Sequence, residues 1–339
     1  MMSKRRYDRL QRYAGFQDSL ARWQSACCAI VGLGGLGGGL ALHLARLGIV
    51  RLILIDRDIV GEENLGHQPL FTEEHARQGL PKAIAASEVL SQVNSEVALE
   101  PHIAEANRHG IHELLAPATL LFDGLDNYYT RFLLNDYALS TNTPYFYAGV
   151  VRGELSAKAI IPGVTSCLRC VLPESSVAGQ VPLCATEGLF PPLLGVANAL
   201  QLEAANQYLA GNFTVDADVL YGLNISDWRL RQVKLPGPQA DCPACGQRRL
   251  EYLAGEQGAE AEQVCAPGRA ELKLATELDL NNIRAQLSHQ QRFDLKHNPY
   301  CLVVEEAELR YTLFADGTVV MEGGEPEQLN RFTAEYLGT

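Results

Sequence analysis

No run of about 18 apolar residues occurs in this chain of 339 residues, so the sequence offers no transmembrane helix. The N-terminal stretch MMSKRRYDRLQRYAG is basic but no apolar stretch of the signal-peptide kind follows it. A cytoplasmic location is therefore expected. A basic excess is also missing: 28 Lys and Arg stand against 40 Asp and Glu, a formal charge of −12. Duplex nucleic acid and anionic membrane are accordingly poor partners, although a local basic group can still bind one small anion. There is no internal repeat and no low-complexity segment. Nor is there a need for disulfide staples, because a chain of this length buries a sizeable core. Its nine cysteines are then expected to be ligands, nucleophiles or plain core residues.

What is present is an alternation of strands and helices. Cys27–Val31 reads as a buried strand, with glycines at once behind it and a helix over 40–47. A second apolar strand, 50–56, ends in Asp56. A helix over 81–93, strands near 97–103 and 119–123, a helix over 129–140 and a strand over 144–148 follow. This order predicts an α/β fold with a doubly wound, mainly parallel sheet. Beyond residue 150 the spacing predicts a strand over 157–161, a long apolar helix over 192–210 and an alternating strand over 219–230. The N-terminal residues 5–25 read as one amphipathic helix. Residues 254–270 read as a Gly- and Ala-rich linker. A small α+β module fills 271–339, with a hairpin turn at Asp316-Gly317 and a closing helix over 326–337. The first domain is then 1–253, divided into a glycine-loop half over about 26–150 and a second half over about 151–253.

Gly32-x-Gly34-x-x-Gly37 lies between a strand and a helix. Gly32 allows the sharp turn, Gly34 removes a side chain that would block a phosphate, and Gly37 lets the helix pack close to the strand. Helix N-terminal amides then face an anion. Asp56 ends the next strand, where a carboxylate can bond ribose hydroxyls. The motif alone does not choose between a nicotinamide cofactor and ATP, and on it alone a dehydrogenase is the default. Three further features fit a dehydrogenase poorly. Lys82 opens a helix, a position that the helix dipole disfavours unless an anion sits there, and Asn64 and Gln68 precede it. The segment LFDGLDNYYTRFLLN, 121–135, puts Asp123 and Asp126 at the carboxyl end of a strand, where a carboxylate can hold Mg²⁺ on nucleotide phosphates. On the following helix, Arg131 and Asn135 share the face directed back at that loop. Finally, Cys167-Leu-Arg-Cys170 and Cys242-Pro-Ala-Cys245-Gly246 form two knuckles suited to one tetrahedral, structural Zn²⁺, which would clip distant segments together. Cys27 and Cys28 read as inert core thiols.

From about Arg6 to Gly246 the chain resembles the MoeB/ThiF adenylyltransferases, prokaryotic relatives of the ubiquitin-activating enzymes. The resemblance rests on RYDR (6–9), VGLGGLG (31–37), LIDRD (54–58), Asn64-Leu65, Pro81-Lys82, DGLDNYYTR (123–131), CLRC, Cys184-Ala-Thr-Glu-Gly-Leu, Gly195-Val196 and CPACG. It implies a Rossmann-like fold and a reaction. The C-terminal glycine carboxylate of a small ubiquitin-fold sulfur-carrier protein, ending in Gly-Gly, attacks the α-phosphate of ATP and pyrophosphate leaves. It implies nucleotide-binding roles for Gly32, Gly34, Gly35, Gly37, Asp56, Asp58, Asn64, His67, Gln68, Lys82, Asn127 and Arg131. Asp126 would hold Mg²⁺, Lys82 would touch the phosphates, and Arg9 would reach the partner's ATP across a homodimer. Cys184 corresponds to a crossover-loop thiol that joins covalently to the carrier in some members and is dispensable in others. Where the family has an arginine, this chain has His67, mostly neutral at pH 7, so one phosphate contact is expected to weaken. The tail has no cysteine-centred loop of the rhodanese kind, so any sulfur would come from another protein. Two other readings stand beside this one: an NAD-dependent oxidoreductase on the same loop, and a catalytically weakened relative that only binds a carrier.

Overall fold

The computed structural model describes residues 5–172, 188–256 and 268–337. The chain divides into two units, one of Met1–Arg57, Gly66–Leu70 and Lys82–Gln257, the other of Asp58–Leu65, Phe71–Pro81 and Gly258–Thr339. No helix among the described residues is long and apolar enough to cross a membrane.

The first unit is built on an eight-stranded sheet. Its strands are β1 Cys27–Val31, β2 Arg51–Asp56, β3 Ala98–Ile103, β4 Leu120–Asp123, β5 Tyr145–Val151, β6 Glu154–Ile160, β7 Val219–Asn224 and β8 Arg229–Lys234, in the order β3-β2-β1-β4-β5-β6-β7-β8. β3 to β5 run parallel, and β6 to β8 extend the sheet antiparallel. β1 and β4 are apolar and buried throughout, as a strand covered on both faces must be. The chain order reverses at β1, which lies between β2 and β4; ligands of open α/β sheets bind at that switch point. Register sharpens the point. Val31 pairs with Ile55 on one side and with Asp123 on the other, so the segments leaving β1, β2 and β4 depart at one level.

The long helix Pro192–Ala210 buries Leu193, Leu194, Ala197 and Leu209, with Asn198, Gln201 and Asn206 among them. It therefore belongs to the core of this unit. Two expectations need correction. The N-terminal helix is broken into Asp8–Arg12, a 3₁₀ turn Ala14–Phe16 and Leu20–Ser25, because Tyr13 turns extended (ψ 114°) and ends the first piece. The single strand expected over 219–230 is a hairpin of β7 and β8. Asn224 and Asp227 stabilise its turn through bonds from the Ser226 and Arg229 amides, and Trp228 takes φ +52°.

The second unit is the α+β module expected at the C-terminus. Strands β9 Arg269–Lys273, β10 Asp294–His297, β11 Cys301–Glu306, β12 Leu309–Phe314 and β13 Thr318–Glu322 form an antiparallel sheet in the order β10-β11-β12-β13-β9. Helices Leu280–Leu287 and Pro326–Tyr336 close a core around Leu302, Leu313, Met321 and Phe332. Gly317, at φ +88°, makes the β12–β13 turn. The segments 58–65 and 71–81, which lie inside 1–253, group with this module. Within it Asp58 pairs with Arg269 at 2.8 Å, Glu63 with Arg310 at 3.2 Å, and Asn298 Nδ2 donates to the Gln78 and Gly79 carbonyls.

Candidate functional site

The loop between β1 and the helix Gly35–Leu47 is shaped by contacts that only glycine permits. Gly32 adopts φ +84°, and its N–H donates to the Ile55 carbonyl at 2.9 Å. A Cβ at Gly37 would lie 1.8 Å from the Gly32 carbonyl oxygen, and one at Gly124 would lie 2.1 Å from the same atom. These glycines let helix, strand and the loop after β4 touch. Gly34 differs. A Cβ there would meet only the Gln68 side chain, at 3.7 Å, so its missing side chain leaves open space. Beside it Gln68 is buried, and its Oε1 accepts no hydrogen bond among the described residues. An orphaned carbonyl oxygen of this kind calls for a donor that the described residues do not supply. The helix itself begins without a side-chain cap, leaving its first amides available to an anion. His67 sits 3.4 Å from Gln68 Nε2, and the Gly35 Cβ position lies 2.9 Å from the His67 carbonyl. Lys82 is buried at the first position of Lys82–Val93. Asp56 is also buried, and its Oδ2 takes the Leu33 N–H at 2.7 Å, so this acid fixes the loop as well as lying at its edge. The open space at Gly34 and the uncapped helix start fit a phosphate group.

Two residues expected here lie in the second unit. Asp58 pairs there with Arg269, and Asn64 Oδ1 accepts the Gly61 N–H at 2.9 Å. Arg9 is exposed on Asp8–Arg12.

The loop after β4 separates its two acids. Asp123 is fully buried: it takes the Tyr145 hydroxyl at 2.7 Å, the Leu125 N–H at 2.8 Å and the Arg131 Nε–H at 3.1 Å. Burial pushes its pKa up and the Arg131 charge pulls it back. Arg131 also donates to the Leu125 and Ala148 carbonyls. Its guanidinium, expected at the nucleotide, is thus engaged in holding the loop. Asp126 is exposed and has no hydrogen-bond partner among the described residues. Of the two acids it alone is exposed. Asn127 caps the helix Tyr128–Thr141 by accepting the Thr130 N–H at 2.9 Å. Two contributors escape a reading of motifs. Tyr145 holds Asp123, and Gln201 Nε2 donates to the Asp123 and Phe146 carbonyls, both at 2.9 Å. The polar pair Asn198 and Gln201 inside an apolar helix is the one sequence signal that marks the second.

A cleft of about 590 Å³ is lined by Tyr128, Arg131, Tyr147, Gly149, Arg152 and Ser156, among others. Arg152 makes the β5–β6 turn with φ +55°.

The four knuckle cysteines converge. Cys167 and Cys242 Sγ are 3.6 Å apart, Cys170 and Cys245 3.4 Å, Cys167 and Cys170 3.9 Å, and all four lie within 4.8 Å. Zinc–sulfur bonds of about 2.3 Å in a tetrahedron space the sulfurs about 3.8 Å apart, so the donor set fits Zn²⁺. The Ser166 N–H donates to Asp218, itself ion-paired with buried Lys158, and the Leu168 N–H donates to Asn135 Oδ1 at 2.8 Å. Asn135 therefore bonds to the first knuckle and not to the loop at the helix start, which corrects the expectation that it is directed there with Arg131. Cys28 and Cys301 are buried; burial pushes Cys28 well up and Cys301 to about 11, in keeping with inert core thiols. Cys184 and Cys265 lie outside the described residues.

Next to Asn135, Asp136 Oδ2 accepts the Tyr252 N–H at 3.0 Å. Burial raises its pKa from 3.8 to about 6, against the pull of that amide and of Arg169. The folded chain then holds this proton more tightly than the unfolded chain. Its stabilising contribution is fully present below about pH 4 and is lost as the pH rises through about 6. Asp136→Asn keeps an acceptor and removes the titration. It is expected to flatten that fall and to leave stability at pH 7 equal or higher, by on the order of 1–3 kcal/mol. Denaturant unfolding across this pH range measures it; an unchanged slope would contradict the assignment.

The ThiF family pattern matches residues 7–244. The chain is 28% identical over 322 residues to the sulfur carrier protein ThiS adenylyltransferase of Bacillus subtilis, covering 94% of each chain. It is 31% identical over 237 residues to the SAMP-activating enzyme E1 of Haloferax volcanii, covering 70% of this chain and 86% of that one. Among solved structures, E. coli MccB with ATP superposes with a TM-score of 0.60 at 24% identity, over 72% of this chain and 75% of that one. At that identity the likeness speaks for the fold alone.

Proposed function

The chain belongs to the ThiF family, and from that premise we propose that it adenylates the C-terminal glycine of a small sulfur-carrier protein, using ATP and releasing pyrophosphate. The observation that carries this reading is the open turn at Gly34, beside an uncapped helix start and the orphaned Gln68 carbonyl, at the same carboxyl end of the sheet as the exposed Asp126. The named relatives, an adenylyltransferase of a carrier protein and a SAMP-activating enzyme, support the substrate class.

On this reading the loop amides and Lys82 hold the phosphates, where they neutralise charge that shifts onto the departing pyrophosphate. Asp126 holds the Mg²⁺ that travels with ATP and screens the triphosphate. A carrier carboxylate oxygen bonds to the α-phosphorus as the bond to the pyrophosphate oxygen breaks, giving an acyl-adenylate. No enzyme nucleophile is required; the step depends on positioning. The cleft walled by Gly149 and Ser156 has ample room for an extended carrier tail, and Arg152 on its wall favours a carboxylate. Arg9 acts on the partner's nucleotide in a homodimer, and Cys184 serves sulfur transfer after adenylation. The four cysteines hold Zn²⁺ and keep the distant knuckles together.

The test is exchange of labelled pyrophosphate into ATP by the purified chain. Exchange is expected only with Mg²⁺ and a carrier ending in Gly-Gly, and removal of the carrier's last glycine should abolish the stimulation. A nicotinamide absorbance change without exchange would return the glycine loop to a dehydrogenase.

A further inference from the structure

The helix Tyr128–Thr141 carries two sets of contacts. At its start, Asn127, just after Asp126, caps it, and Arg131 ties it to Asp123 and to the carbonyl of Leu125, both just before Asp126. Further along, the cysteine knuckles grip it. The Leu168 N–H, inside the first knuckle, bonds to Asn135, and the Tyr252 N–H, beyond the second, bonds to Asp136. Arg248 donates to the Leu139 carbonyl at 3.2 Å, and the Tyr252 ring packs on Phe132 with centroids 5.1 Å apart. Arg169 of the first knuckle pairs with Glu251, next to Tyr252, at 2.7 Å, which joins the two grips. Asn135 is fully buried, so loss of its oxygen strands a buried amide. The helix from Tyr128, two residues after Asp126, to Asn135 is only about 10 Å long at 1.5 Å per residue.

We propose that Asn135 is a positioning residue for the reaction: it couples the zinc-binding knuckles to the Asp126 loop, so that the closed four-sulfur centre sets where the Mg²⁺-holding acid stands. The inference rests on the adenylation reading given above. It separates the knuckles' role from mere stabilisation, because a misplaced Asp126 weakens the magnesium-dependent part of nucleotide binding and spares the rest.

The measurement is calorimetric affinity for a non-hydrolysable ATP analogue with and without Mg²⁺, on the full chain with its zinc content determined. In Asn135→Leu, affinity with Mg²⁺ is expected to fall about 5- to 20-fold, with affinity without Mg²⁺ within twofold of the parent and zinc retained. In exchange assays the KM for Mg·ATP should rise in step, with kcat changed less. A variant that binds like the parent in both conditions, or that loses affinity equally in both, overturns the proposal. The parent chain stripped of zinc by a chelator and dialysed before Mg²⁺ is added gives the second reading, and it decides if the variant does not fold. It should show the same selective loss, reversed by zinc, whereas an intact Mg²⁺ preference in the stripped chain overturns the coupling. A zinc-loaded parent with no Mg²⁺-strengthened binding at all overturns the adenylation reading, and this inference with it.

Discussion

Asp126→Ala is expected to lower pyrophosphate exchange by at least two to three orders of magnitude while leaving the fold intact. Removing one group that neutralises transition-state charge costs about 10²–10³ in rate, and this one would also release the metal. The fold should not notice, since Asp126 is exposed and makes no hydrogen bond among the described residues. Its neighbour three residues earlier must behave in the opposite way. Asp123→Ala would leave the Arg131 guanidinium buried without its carboxylate and the Tyr145 hydroxyl without its acceptor. Breaking one half of a buried pair costs roughly 3–5 kcal/mol. The two alanine variants are therefore separated by a pair of measurements, exchange rate and denaturant midpoint. Asp126→Ala loses the first and keeps the second; Asp123→Ala loses stability, and with it the amount of active protein. Near-parental exchange by Asp126→Ala would remove this acid from the metal.

That division between two acids in one motif shows where the sequence stops being legible. The glycine loop, the strands around it and the two Cys-x-x-Cys knuckles can be read from local chemistry, because glycine positions, apolar runs and thiol spacing each impose their geometry over a few residues. Which of Asp123 and Asp126 is buried cannot be so read. It is settled by Tyr145 and Gln201, from a strand and a helix remote in sequence, together with Arg131. Asn135 is a like case. Four residues after Arg131, its sequence position suits either end of its helix, and only the position of Leu168 decides. Some signals were there to use. Asp279 caps the helix Leu280–Leu287 ahead of the buried Leu280, Ile283 and Leu287, spaced on one face, and the polar turn Asn224–Asp227 divides β7 from β8.

Within the glycine loop itself, two single-methyl substitutions are expected to fail for different reasons. Gly37→Ala puts a carbon 1.8 Å from the Gly32 carbonyl and 3.1 Å from Ile30 Cγ2, so the helix must move off the strand. Overpacking against backbone of this severity should cost about 2–4 kcal/mol and disturb the turn that faces the phosphates. Gly34→Ala meets nothing closer than Gln68 Nε2 at 3.7 Å. Its stability should therefore change by less than about 1 kcal/mol, as for a substitution with no steric cost. Yet the added methyl occupies the space through which a phosphate reaches the loop amides, so ATP affinity should drop by a factor of ten or more. Denaturant unfolding beside nucleotide titration distinguishes them. A Gly34→Ala chain that binds ATP as tightly as the parent would mean that the open space is not where the phosphates lie. The uncapped helix start would then have lost the ligand it is proposed to serve.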